Sequence, residues 1–287
     1  MAIGDVSLTG AMRSNLVSLQ QTTALMGQTQ ERLSTGKRVN SALDNPANFF
    51  AAREHTQRAN LLTGLKDNIN EAIQTVKAAD KAVTAITKMI EGLRGQLTQA
   101  RTALGDAASS GALLSGITSG YNEMVRQLNN LQQDSIYKGV TFLASATVLT
   151  VNFNETSTTK LVMSGFDGTS SGLAISGGTV SGYGGLTVGN LASTSGIDGV
   201  ESSLNVALAT LRKESSTLSN NLTILSVRQS FIIDMVNTLA EGADKLTLAD
   251  TNEEGANMLM LQTRQQLGTT SLSLASQAAQ SVLRLFG

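Results

Sequence analysis

The residues able to do chemistry are few, and their spacing does not assemble them. The single histidine, His55, follows Glu54, but the pair forms no His-Glu-x-x-His arrangement, in which two imidazoles one helical turn apart hold zinc and the glutamate activates its water. His55 therefore reads as an ordinary helix residue. Cysteine is absent, which removes thiolate nucleophiles, thiolate metal sites and disulfides together. Glu253 and Glu254 are adjacent carboxylates ahead of an uncharged helical stretch, where they favour the positive end of that helix rather than acid–base chemistry. Asn154-Glu155-Thr156 and Asn221-Leu222-Thr223 match the glycosylation acceptor pattern, which is short and frequent by chance; hydroxyls between residues 143 and 196 are equal candidates for a sugar. No enzyme, metal site or cofactor site is expected, so the work of the chain must be done by packing.

The elements that would do the packing begin at the two ends. From Met1 to Gln30 the only ionisable side chains are Asp5 and Arg13, and from Gly255 to Gly287 only Arg264 and Arg284. Met12, Leu16, Leu19, Thr23, Met26, Gln30 and Leu33 follow a four-three spacing, which keeps one seam of a helix facing a partner. The C-terminal stretch carries two stripes of the same period. One is Leu267, Ser271, Leu274, Ala278, Ser281 and Leu285; the other is Leu272, Ala275, Ala279, Val282 and Phe286. A helix striped on two sides is suited to neighbours on both. Termini fray unless tied down, and these are built to be tied down by other helices.

Composition narrows the partners. The 287 residues carry 21 basic and 22 acidic side chains, a formal charge of -1, so nucleic acid or an anionic membrane held by bulk electrostatics is not expected. Charged residues make up 15% of the chain, below the usual quarter or so, which suits a subunit that packs into an assembly. The start, MAIGDVSLTG, lacks the basic segment and apolar run of a secretory signal, and no stretch is long enough to span a membrane. Export, if it occurs, is expected by another route. Aromatics are 3% with no tryptophan, so the core must be aliphatic.

The strongest periodicity runs unbroken through Leu62, Leu65, Ile69, Ala72, Val76, Ala79, Val83, Ile86, Ile90, Leu93, Leu97, Ala100 and Leu104, predicting a coiled-coil seam about 65 Å long. Gly92 and Gly95 inside it each cost about 1 kcal/mol relative to alanine, and permit either a close helix approach or a bend. A second stripe reads Leu114, Ile117, Tyr121, Met124, Leu128 and Leu131. A third reads Ile197, Val200, Leu204, Ala207 and Leu211, continuing less regularly to Leu218, Leu225, Ile232, Met235 and Leu239. Between Val140 and Leu191 the pattern alternates, in valine- and threonine-rich segments such as 146–153 and 159–163 followed by a glycine-rich return. The expected fold is mainly α: an elongated antiparallel coiled-coil helical bundle with paired N- and C-terminal helices and a small β-rich insertion. Its expected divisions are residues 1–40, an N-terminal helix; 41–142, the first part of the bundle; 143–196, the insertion; 197–245, the returning bundle helix; and 246–287, the C-terminal helix.

The segment LSTGKRVNSALDNPANFFAAR, residues 33–53, separates the first two helical stripes. Gly36 can end the first helix; Asn40, Ser41, Asp44 and Asn45 can bond the backbone in turns; Pro46, the one proline, can open the next helix where its missing N–H costs nothing. Its composition resembles the turn between the inner-core and outer-core helices of bacterial flagellins, and LASQAAQSVLRLFG, residues 274–287, resembles that family's C-terminal signature. The resemblance covers residues 1–145 and 198–287.

The resemblance implies an extracellular subunit that polymerises into the flagellar filament for swimming motility, exported by the flagellar type III route. It implies an inner tube built from paired terminal helices, and we assign that assembly interface to Met12, Leu16, Leu19, Met26, Leu33, Leu267, Leu274, Ala278, Val282 and Leu285. Gly36, Asn40, Asp44, Asn45 and Pro46 would form the joint between inner and outer core. Gln20, Gln21, Gln28, Gln262, Gln265 and Gln266 are candidates for a weakly charged channel wall or for bonds to neighbouring chains. Partners implied by resemblance are further copies of the chain, a filament cap, hook-junction proteins and an export chaperone; the chaperone contact is placed on Leu274, Ala278, Val282 and Leu285.

Some flagellins activate an innate-immune receptor through an outer-core helix carrying two arginines two apart, then a glutamate and a leucine. Here the segment is IEGLRGQL, residues 90–97, with Gly92, Gly95 and Gln96 in place of the first arginine, the glutamate and the leucine, and only Arg94 retained. Poor receptor activation is expected. The rivals to a filament subunit are a flagellin-like hook–filament junction protein and a non-polymerising coiled-coil adaptor or effector.

Overall fold

The computed structural model describes residues 10–105, 110–175 and 186–286. In chain order it contains α1 (Gly10–Thr35), α2 (Pro46–Leu104), α3 (Ser110–Asp134), β1 (Val148–Asn152), β2 (Lys160–Ser164), α4 (Val188–Leu191), α5 (Thr194–Thr247) and α6 (Thr251–Phe286). The fold is mainly helical, as the periodicity predicts, with one two-stranded sheet. The chain divides into two compact units, Met1–Ala59 with Asn237–Gly287, and Asn60–Val236.

In the second unit the α2 seam is the core. Ile69, Ala72, Val76, Ala79, Val83, Ile86, Ile90, Leu93, Leu97 and Ala100 are all buried, with Ile73 and Ala82 widening the stripe. A wide stripe lets one helix take two neighbours, and each large aliphatic residue buried there contributes about 1.5–3 kcal/mol before chain entropy is subtracted. One neighbour is α5, which runs antiparallel: Asn70 pairs with Gln229, Asp80 with Ser215, and Arg101 with Asp198 and Glu201. Its buried residues are dense from Ile197 to Leu211 and then thin to Leu218, Leu225 and Ile232, each seven after the last. The stretch that looked irregular therefore has a strict heptad, but a single file rather than a pair.

The other neighbour is α3, and here the predicted stripe needs correction. The buried residues are Leu114, Thr118, Tyr121, Val125 and Leu128, whereas Ile117, Met124 and Leu131 are half-buried. Thr118 enters the seam because its hydroxyl donates to the Leu114 carbonyl at 2.7 Å, so a residue that reads as polar carries its own partner inside. Met124 instead lies against Gly92, where a Cβ would come within 3.1 Å of the methionine sulfur. Gly92 thus serves close helix approach, while the Cβ position of Gly95 faces open space.

The insertion forms an antiparallel hairpin in which Val148 pairs with Ser164 and Asn152 with Lys160. Val151 and Met163 turn inward and are buried, beside a local core of Phe142, Leu143, Leu173 and Ile175. Side-chain amides of α3 tether the surrounding loops: Gln132 donates to the Leu143 carbonyl, Asn129 accepts from the Ser170 N–H, and Asn122 bonds both backbone groups of Leu186. Buried loop backbone needs such partners; the hydrophobic pattern gave no sign of them.

Candidate assembly surface

The first unit is organised by α1 and α6, which lie antiparallel in one register. Arg32 meets Glu254, Leu19 meets Gly268, and Asn15 donates to Ser271 at 3.2 Å. Residue numbers fall along one helix as they rise along the other. The α1 face turned to α6 runs Met12, Asn15, Leu19, Thr22, Met26, Thr29, Leu33, all buried or half-buried. This corrects the predicted seam at alternate positions, because Leu16, Thr23 and Gln30 are exposed and Leu16 keeps 38% of its surface. The sequence favoured Leu16 over Asn15 on hydrophobicity. The fold instead buries Thr22, whose hydroxyl donates to the Ser18 carbonyl at 2.9 Å.

The two stripes of α6 separate cleanly. Leu272, Ala275 and Ala279 are half-buried in line with Met258, Leu261, Gln265 and Gly268, and this line faces α1. Leu267, Ser271, Leu274, Ala278 and Ser281 are exposed, with Leu267 at 65% and Leu274 at 62%. The side chains of Val282, Leu285 and Phe286 lie outside the described residues. Among the proposed interface residues, then, Met12 is buried, Leu19, Met26 and Leu33 are half-buried between α1 and α6, and Leu16, Leu267, Leu274 and Ala278 remain open.

At one end of the pair Glu254 is 6% exposed and holds Arg32 at 2.9 Å. Its second oxygen and the Arg32 Nε are buried without a partner among the described residues. Arg32 itself is half-buried, so the pair sits at the edge of the core, and a pair left half-satisfied in this way is weak support for stability. Asp250 caps α6, accepting from the N–H groups of Asn252 and Glu253, and the first turn carries Glu253 and Glu254, the placement that favours a helix N-terminus.

The joint is more tightly built than a loose connector. Gly36 adopts φ 67°, the left-handed conformation that closes helices and suits glycine. Asp44 Oδ2 accepts from the N–H groups of Asn40 and Ser41 at 3.0 and 2.9 Å. These bonds hold its carboxyl below the ordinary carboxylate range, the Ser41 N–H most of all. Asn45 Oδ1 accepts from the Asn48 N–H at 3.0 Å and caps α2, with Pro46 at its first position. Distant residues close the other side: Arg38 and Val39 donate to the Thr247 carbonyl, and Ala249 donates to that of Gly36. The sequence held no local signal for this short antiparallel bridge between Lys37 and Leu248.

The N-terminal half of the chain, residues 6–147, matches the family model for the bacterial flagellin N-terminal helical region. Flagellin FljM of Caulobacter vibrioides is 25% identical over 286 residues, covering all of both chains. FljK of the same organism is 26% identical over 289 residues at the same coverage, and the flagellin of Brucella melitensis is 25% identical over 94% of this chain and 95% of its own. This chain belongs to the bacterial flagellin family. A crystal structure of Bacillus cereus flagellin aligns with 57% of the chain at 14% identity and a TM-score of 0.45, and at that distance it adds nothing to the assignment.

The flagellin is thus a structural subunit of the extracellular flagellar filament and not an enzyme. Its one histidine sits half-buried on α2, 3.7 Å from where a Cβ of Gly242 would lie, an ordinary helix-packing contact. No group of histidine and acidic residues that could hold a metal occurs among the described residues, and among them no helix is long and apolar enough to cross a membrane. In this flagellin Arg94 pairs with Glu201 at 3.6 Å within the bundle.

Proposed function

We propose that this flagellin assembles through the α6 stripe that α1 leaves uncovered, Leu267, Leu274 and Ala278, continued in sequence by Leu285, with Val282 acting from the stripe turned to α1. The observation that carries this reading is the division of α6 into one stripe used within the chain and another open to solvent. Apolar side chains repeated at helical spacing and left exposed on a weakly charged helix gain by burial against other chains. Met12, Leu19, Met26 and Leu33 then act from inside the helix pair, and Leu16 from its open side.

In this reading residues 1–40 and 246–287 form the inner core, 41–142 and 197–245 the outer core, and 143–196 the variable insertion. Gly36, Asn40, Asp44, Asn45 and Pro46 form the joint. The export chaperone takes Leu274, Ala278, Val282 and Leu285 before assembly, and the filament cap and hook-junction proteins meet the same subunit later. The departures at Gly92, Gly95 and Gln96, together with engagement of Arg94 by Glu201, support poor activation of the innate-immune receptor.

The test is seeded polymerisation. Full-length protein mixed with short filament fragments should yield pelletable polymer, and a version lacking residues 255–287 should yield none. Polymer from both would remove α6 from the assembly surface.

A further inference from the structure

We propose that the Arg32–Glu254 pair and the Leu19–Gly268 contact together fix the axial register of α6 on α1. They thereby hold the open stripe of α6 at one height for other copies; this last step rests on the assembly reading above.

The remainder of the α1–α6 seam discriminates poorly between registers. Both faces repeat every seven residues, so a slip of one heptad, about 10.5 Å, again sets seam against seam. The residues that would meet after such a slip include three methionines, two threonines and two alanines beside four leucines, side chains that readily repack. Beyond the backbone bridge between Lys37 and Leu248 that closes one end of the pair, two side-chain contacts do not survive it. Leu19 occupies a notch that exists because residue 268 is glycine: a Cβ there would stand 2.7 Å from Leu19 Cδ1. One heptad either way sets Leu19 against Leu261 or Ala275, neither of which offers a notch. A slip one way faces Arg32 with Leu261 and carries Glu254 past the end of α1; a slip the other way faces Glu254 with Leu25 and carries Arg32 past the start of α6, so the two charges part in either case. The Leu19 side chain has a free end and can swing, so the notch alone is a soft stop. The ion pair is the harder one, because parting it leaves the buried Glu254 carboxylate without its compensating charge.

The cysteine-free chain allows this to be read by disulfide trapping in the full-length protein. N15C with S271C reports the observed register, since the two native side chains are in hydrogen-bond contact. N15C with R264C and N15C with A278C report the two single-heptad slips. Each cysteine pair is placed in the otherwise native chain, in R32M/E254M and in R32E/E254R, then oxidised both in solution and in seeded polymer.

In the native background the N15C–S271C product should dominate, with slipped products at trace level. The R32M/E254M change fills the site with apolar side chains of similar length and preserves helix content, yet it should raise the slipped product about tenfold. Charge reversal should restore the native pattern. Slipped products absent from R32M/E254M, or no native product in the native background, overturns the proposal. Sedimentation of the same samples judges the assembly reading separately: failure to polymerise sinks that reading, while the trapped register still decides this one.

Discussion

Asp44 and Ser41 are joined twice: Asp44 Oδ2 accepts the Ser41 backbone N–H at 2.9 Å and its hydroxyl at 3.2 Å. Together with the Asn40 N–H, these bonds favour the charged carboxylate and lower its pKa from 3.8. Because the folded value is the lower one, the unfolded chain binds the proton first as pH falls. The stability contributed by Asp44 is present above pH 3.8 and is lost as pH drops through the lowered value. The protection of the Asn40 and Ser41 amides, taken relative to their intrinsic exchange rate at each pH, should therefore fall in acid below that range. Asp44→Ala should show quickened exchange already at neutral pH, and unchanged protection in that variant would refute the turn as a structural latch.

The hydroxyl of Tyr121 is fully buried and finds no partner among the described residues. Burial raises its pKa, so the phenol stays neutral throughout the usual range. Since leaving a polar group unsatisfied costs about 1–3 kcal/mol, Tyr121→Phe should raise the melting temperature. A lowered one would mean that the hydroxyl has a bonding role.

Ile90 and Leu93 are completely buried in α2, where truncation removes transfer energy and leaves a cavity. Ile90→Ala or Leu93→Ala should each destabilise the bundle by about 2–5 kcal/mol, read from the denaturant midpoint of the soluble chain. A loss well under 1 kcal/mol would show that the seam is loosely packed.

Leu274→Asp separates folding from assembly. The side chain is exposed, so the soluble protein should keep its stability within about 0.5 kcal/mol. In polymer the carboxylate would be buried unpaired, at several kcal/mol, and seeded growth should stop; normal filaments would withdraw the open stripe from the interface. Leu285→Asp, further along the same stripe, should act alike on assembly and, in the chaperone reading proposed above, weaken chaperone binding; Val282→Asp should block assembly from the stripe turned to α1.

The long helices and the hairpin were legible in the sequence because hydrophobic period reports them directly, and every predicted α2 seam residue is buried except Leu65 and Leu104, which are half-buried. Face assignments were less legible where threonines intrude. Thr22, Thr75 and Thr118 are buried, each bonded to the carbonyl one turn back, and a reading by polarity places them outside. The joint was visible as turn chemistry at Gly36, Asp44 and Asn45. Its bonds to Thr247 and Ala249, like the pairing of Arg32 with Glu254, join residues more than two hundred positions apart. Nothing local announces such contacts, and chain pattern alone could not supply them.

From Leu211 through Leu218 and Leu225 to Ile232, the bundle fully buries one side chain in each seven of α5. Of the positions between, Ser215 and Gln229 reach α2 through side-chain bonds and a few others are half-buried, while the rest face solvent. Over this stretch α5 is held to the bundle by one column and a few polar ties, which leaves most of its circumference in contact with water.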